Sequence, residues 1–77
     1  MTKLKAKKVE QTANNLIFGF LRESQTRTIY EIYSNVAKKE NLSLISRTFE
    51  DFAIQKRERA TEFYKLLKKL NKDENIE

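Results

Sequence analysis

The chain has 77 residues, 35% of them charged, with a formal net charge of +5, one glycine and no proline, cysteine or histidine. This length folds into one small domain at most, and the composition favours long helices over sheets and turns. Without cysteine there is no disulfide or thiolate metal site, and without histidine the commonest general base and metal ligand is missing, so most enzyme classes are disfavoured.

Residues 1–11 form a basic segment that precedes any apolar periodicity. Its positive charge comes from Lys3, Lys5, Lys7 and Lys8. We interpret this segment as a solvated arm, with contact to nucleic acid or to an acidic partner as the alternative. No apolar run reaches the roughly 20 residues of a membrane span, and no apolar core of a signal peptide follows the basic start. The sequence therefore predicts a cytoplasmic protein without a membrane partner.

A first amphipathic helix is predicted over residues 12–40. Thr12 is placed to act as its N-cap, and Asn41 is expected to end it in the left-handed conformation that asparagine tolerates. The predicted stripe has apolar or aromatic residues three and four positions apart, with two charged residues in its gap: Leu16, Phe20, Glu23, Arg27, Tyr30, Tyr33 and Ala37.

A second helix is predicted over residues 43–71, with Ser43 as its cap and residues 72–77 as a frayed tail. Its expected buried stripe is Ile45, Phe49, Phe52, Lys56, Arg59, Phe63, Leu66 and Leu70. The two cations in the middle of this apolar stripe are the anomaly of the sequence, because buried charges are costly unless they are paired.

A short link between two long helices predicts an all-α fold, an antiparallel two-helix hairpin. One hairpin cannot cover its own apolar face, so we expect a homodimer that completes a four-helix bundle, or docking onto a larger helical partner. The residues expected in the core or the dimer interface are Phe20, Phe49, Phe52, Phe63 and Leu66.

Glu23 interrupts the apolar stripe of the first helix as the cations interrupt that of the second. Glu23 and Arg59 are equally distant from Asn41 along the chain, and both helices rise about 1.5 Å per residue. Glu23 should therefore face Arg59 directly, with Lys56 one turn away. The sequence predicts a buried ion-pair cluster of these three residues.

Thr12 to Lys68 resembles the first half of the rubrerythrins, di-iron peroxidases of the ferritin-like superfamily. The resemblance is carried by "ESQTR", "AKKE", an Ile45-x-x-x-Phe49 spacing and "FYKLL" near the end of the second helix. It implies a ferritin-like four-helix bundle, of which this sequence holds one helical hairpin. The family's second helix pair and its rubredoxin-like iron module have no counterpart here.

At the level of single residues, the resemblance places Glu23 at the position of an iron-ligand glutamate. Lys56 and Arg59 stand where the family's E-x-x-H motif has its glutamate and histidine, and Tyr30 falls on a tyrosine near the metal. Protonated lysine and arginine do not ligate iron. The resemblance therefore implies a degenerate site that holds no metal and no other cofactor, with Glu23 as its single remaining ligand position.

The leading functional hypothesis is a metal-free structural or protein-interaction module, so an enzyme is disfavoured. In a dimer the cluster would carry an excess of about two positive charges, which a bound anion or the neighbouring Glu62 could balance. Two alternatives stay open at this point. One is a non-haem iron protein with residual peroxidase or oxidase activity, and the other is a basic helical-hairpin dimer that binds RNA.

Overall fold

The computed structural model describes the backbone of residues 3–74 and the side chains of residues 7–73. Two helices account for nearly all of it: α1 covers Lys3–Lys39 and α2 covers Ser43–Glu74. They pack against each other as an antiparallel hairpin about 58 Å long and 16 by 12 Å across. The all-α hairpin predicted from the sequence is confirmed.

The link between the helices is a Schellman turn, a compact helix ending closed by two backbone hydrogen bonds. The Leu42 N–H donates to the Ala37 carbonyl at 2.9 Å, and the Asn41 N–H donates to the Lys38 carbonyl at 3.1 Å. Asn41 has a φ of 63°, as its position after the first helix predicted. The Leu42 carbonyl then accepts the first bond of α2 from Ser46 N–H at 2.9 Å, so Leu42, rather than Ser43, occupies the N-cap.

Small side chains fill the seam between the two helices. Ala37 of α1 and Ala53 and Ala60 of α2 are buried, and so is Ser46. Ser34 and Ser46 exchange hydrogen bonds across the seam, each hydroxyl donating to the other residue's carbonyl at 2.9 Å. These contacts bring the helix backbones close together near the turn.

A single glycine marks a second point of close approach. A Cβ at Gly19 would lie 2.6 Å from the ring of Phe63, well inside van der Waals distance. Aromatic rings stack beside both points of close approach. Three pairs lie near the turn and the fourth lies next to Gly19: Tyr30–Phe49, Tyr30–Phe52, Tyr33–Phe49 and Phe20–Tyr64. The interior is therefore a thin seam of small residues with aromatic rings along its sides.

Both helices are longer than the periodicity predicted. α1 already begins at Lys3, so the expected separate basic arm over residues 1–11 is wrong for its described part. Val9 and Ala13 continue the inward spacing and line a cleft with Leu67 and Leu70, and lysine is a good helix former. Thr12 lies inside α1, where its hydroxyl donates to the Lys8 carbonyl instead of capping a helix.

At the other end, α2 continues to Glu74, three residues beyond the expected end. The rest of the expected frayed tail, residues 75–77, lies outside the described residues. Neither described helix has a segment long and apolar enough to cross a membrane.

Candidate functional site: an ion pair in the seam of the hairpin

Glu23 lies in the seam at the middle of α1, with only 8% of its surface exposed. Its Oε2 is 3.1 Å from Nζ of Lys56, whose side chain is 28% exposed. This is one of two ion pairs between described side chains; the other, Arg27–Glu31, is on the surface of α1. Glu23 and Lys56 are thus the charged pair that links the two helices.

The Glu23–Lys56 contact is ionic but is not a hydrogen bond. The two atoms are within ion-pair distance, yet the angle of approach leaves Oε2 buried without a hydrogen-bond partner in the described chain. A buried carboxylate oxygen ordinarily has a donor. The Lys56 ammonium is therefore the partner of this oxygen among the described ion pairs.

Arg59 does not face Glu23 as predicted. It is exposed, and the described ion pairs do not include it. The expected height along the hairpin is right. Tyr30 is seven residues after Glu23, and Phe52 is seven residues before Arg59. Because the rings of Tyr30 and Phe52 stack, with centroids 5.4 Å apart, Glu23 and Arg59 lie at matching heights. The direction is wrong because Ala60, one residue further along, occupies the seam at that level and turns Arg59 to its edge.

The same rotation moves half of the predicted stripe of α2 out of the seam, while the other half stays half-buried: Phe49, Lys56, Phe63 and Leu70. Ser46, Ala53 and Ala60 are buried at intervals of seven residues. The residues immediately before them instead form an exposed row, and Leu66 continues it. We call this row the apolar edge of α2; it consists of Ile45, Phe52, Arg59 and Leu66.

The expected core residues therefore divide into two groups. Phe20, Phe49 and Phe63 are half-buried within the hairpin. Phe52 and Leu66 are 42% and 51% exposed on the apolar edge. Within one chain they are surface residues, and their expected role in a dimer interface stays a prediction.

The two suggested neighbours of the site lie apart from the ion pair. Tyr30 is half-buried and packs against Phe49 and Phe52, at centroid distances of 6.0 and 5.4 Å. Glu62 is exposed and takes part in neither described ion pair. Tyr30 thus belongs to the aromatic packing beside the turn, while Glu62 leaves Arg59 unneutralised.

Comparison with known sequences decides the ancestry. A sequence model of the rubrerythrin family matches residues 14–77, more than four-fifths of the chain. The chain belongs to the rubrerythrin family. No solved structure matched it.

Curated rubrerythrins from three bacteria are similar to this chain. It is 42% identical over 74 residues to rubrerythrin-1 of Clostridium acetobutylicum, an alignment that covers 96% of this chain and 38% of that protein. It is 42% identical over 65 residues to rubrerythrin of Clostridium perfringens, covering 84% of this chain and 33% of that protein. It is 36% identical over 63 residues to rubrerythrin of Porphyromonas gingivalis, covering 82% of this chain and 32% of that protein. The chain thus spans about a third of the length of these rubrerythrins.

Within the single rubrerythrin hairpin, the described residues do not assemble the di-iron centre that the resemblance implies. Between residues 7 and 73 no three carboxylate side chains cluster closely enough to hold a metal ion. The one buried carboxylate among the described side chains, that of Glu23, has the Lys56 ammonium beside it, and protonated lysine offers no lone pair.

Sequence reasoning missed three residues that shape this part of the molecule. Gly19 admits the ring of Phe63, and Ser34 and Ser46 join the helices by hydrogen bonds. A signal for Gly19 was present, since a lone glycine inside a helix costs about 1 kcal/mol and calls for a packing reason. The serines gave no comparable signal, because serine is common on exposed helix surfaces.

Proposed function

We propose that this chain is a metal-free rubrerythrin-like hairpin that pairs with a second copy of itself into a four-helix bundle and acts as a structural or protein-interaction module. The observation that carries the proposal is the apolar edge of α2. Three large apolar side chains, Ile45, Phe52 and Leu66, are between 42% and 51% exposed on it. Burying such side chains is worth roughly 1.5–3 kcal/mol each, so an uncovered edge favours association.

α1 adds apolar surface beside this edge. Tyr33 stacks on Phe49 at 5.7 Å, which places it on the side of the seam where Tyr30 meets Phe52. Ile29 and Val36 are one turn from Tyr33 on the same face of α1, and they are 50% and 44% exposed. From Ile45 to Leu66 the apolar edge runs for about 32 Å, at about 1.5 Å per residue, and the three residues of α1 lie beside its turn end.

The Glu23–Lys56 pair supports pairing with a specific register. A single polar group in an apolar bundle interior fixes how helices align, even when it adds little stability. Glu23 and Lys56 lie near the midpoints of their helices. Two hairpins related by a two-fold axis through this region would bring the two ion pairs together.

The decisive experiment is the mass of the protein in solution. Sedimentation equilibrium at micromolar concentration is expected to give twice the 9.2 kDa of one chain. The double variant Phe52→Lys, Leu66→Lys is expected to be monomeric, because two charges on the apolar edge would be buried in the interface. Ile54→Lys with Thr61→Lys is the matched control, since both positions are exposed and lie off that edge.

Each result bears on the proposal. A dimer that is lost in the edge variant and kept in the control variant supports pairing through the apolar edge. A monomeric parent protein, or a dimer that both variants lose equally, would contradict it and point to a different partner or a different face.

A further inference from the structure

We propose that the dimer encloses a small oxyanion, of the phosphate or sulfate type, between Lys56 and Arg59 of both copies. The inference rests on the dimer proposed above and names the ligand that its interior requires. It begins with a count of charge. Each hairpin has one carboxylate and two cations at about the same height along its axis. Glu23 and Lys56 lie in the seam, and Arg59 lies on the apolar edge.

The excess of positive charge does not depend on which cation pairs with Glu23. Lys56 makes that contact in the single hairpin. Arg59 lies near the same height, is exposed on the apolar edge, and would leave Lys56 unpaired if it took the place of Lys56 in the dimer. Either way one cation per copy is left over, and two are left in the dimer.

Among the described residues, no carboxylate makes an ion pair with Arg59. Glu62 is one turn from Arg59 on α2, but it is exposed and makes no ion pair with it. The neighbours of Arg59 along the edge are Phe52 and Leu66, both apolar. Covering this edge would remove Arg59 from water, and a buried guanidinium without a partner is strongly unfavourable.

The chemistry of the two cations selects the class of anion. The guanidinium presents a planar fork of N–H donors that matches the oxygens of phosphate or sulfate, and lysine adds a point charge. Two copies supply two forks and two ammonium groups around one two-fold axis. A dianion at that position balances the excess of two charges, whereas a neutral ligand or a metal cation does not.

The test measures the dissociation constant of the dimer while inorganic phosphate replaces chloride at constant ionic strength. Because phosphate would bind the dimer and not the monomer, a phosphate concentration ten times its own dissociation constant is expected to tighten the dimer about ten-fold. The effect should saturate. Holding ionic strength constant removes general screening from the comparison.

Variants locate the site. Arg59→Gln is expected to abolish the phosphate effect and to tighten the dimer in chloride, because it removes the uncompensated charge. Arg59→Lys should keep a weakened response, since the charge remains without the fork. Arg57→Gln is the matched control: Arg57 is also exposed but lines the groove on the other side of the seam, with Arg27 and Glu50. It should respond as the parent protein does.

The outcomes separate this inference from the proposed function. A dimer whose stability is indifferent to phosphate would overturn the anion site and leave the dimer standing. A phosphate response that survives Arg59→Gln would also overturn it, because the anion would then bind elsewhere. A parent protein that is monomeric in chloride and in phosphate alike contradicts the dimer itself. Circular dichroism on each variant verifies that the helices are intact.

Discussion

At the scale of single residues, the ion pair in the seam is asymmetric in its burial. The side chain of Glu23 is 11% exposed, while that of Lys56 is 28% exposed. Removing the lysine leaves a buried carboxylate without a cation, whereas removing the glutamate leaves a lysine that can extend toward water. The two halves of the pair therefore differ in what their loss costs.

Lys56→Met is expected to destabilise the protein by about 2 kcal/mol, and Glu23→Gln by about half as much, because the uncompensated charge is more deeply buried in the first variant. The double variant should recover part of the loss. A double-mutant cycle from urea unfolding measures the coupling between the two side chains. Additive effects of the two changes would show that the 3.1 Å contact contributes nothing to stability.

Gly19 is the residue at which size matters most. Alanine is ordinarily worth about 1 kcal/mol more than glycine inside a helix. Here the new Cβ would lie 2.6 Å from the Phe63 ring, so Gly19→Ala is expected to lower the free energy of unfolding by about 1–2 kcal/mol despite that gain. Thermal unfolding followed by circular dichroism measures it.

Phe63→Leu provides the control for Gly19→Ala. The smaller side chain removes ring atoms from the position that the new Cβ needs, so Gly19→Ala should be less harmful on a Phe63→Leu background than on the parent sequence. If Gly19→Ala stabilises the parent protein, helix propensity outweighs the contact and the close approach is unimportant.

At the scale of the helices, the turn depends on one left-handed residue. Asn41 has a φ of 63°, which glycine adopts freely and β-branched residues adopt at a cost. Asn41→Gly is expected to change stability by less than about 0.5 kcal/mol, and Asn41→Val to lower it by about 1–2 kcal/mol. Urea midpoints of the two variants make the comparison. Equal midpoints would mean that the turn relaxes to another conformation.

The helices and their antiparallel pairing were predictable from sequence, because large residues recur at helical spacing and Asn41 marks the turn. The rotation of α2 about its axis was not. Ranking by hydrophobicity selects Phe52 and Leu66, yet the seam is filled by Ala53 and Ala60. Close helix packing favours small residues, and small residues carry little hydrophobic signal.

The candidate site was predictable to the same extent. The height of Glu23 relative to Lys56 and Arg59 follows from counting residues away from the turn. Which cation points inward depends on the rotation of α2 about its axis, and the apolar pattern did not fix that angle. The basic start of α1 was missed because lysines lack periodicity, although they favour a helix.

At the scale of the whole molecule, the metal-free proposal can be tested by exchanging the residues at the E-x-x-H positions. Restoring the family residues with Lys56→Glu and Arg59→His would give each copy two carboxylates and one imidazole at the same height. The variant is expected to bind iron at near-stoichiometric levels when purified from iron-rich medium, and the parent protein is expected to bind none. Elemental analysis measures both.

A control variant distinguishes the effect of adding metal ligands from the effect of removing positive charge in the iron experiment. Lys56→Gln with Arg59→Gln removes the same two cations without supplying a carboxylate or an imidazole, so it should remain free of iron. Near-stoichiometric iron in the parent protein would contradict the metal-free proposal and favour a non-haem iron protein in its place.

The reciprocal serine bonds lie beside the turn and join residues 12 positions apart in sequence. Contacts over so short a loop form early, because closing a short loop loses little chain entropy. Folding should therefore begin at the turn and proceed along the seam toward the other end of the hairpin. The contacts between the start of α1 and the end of α2 should form last and break first.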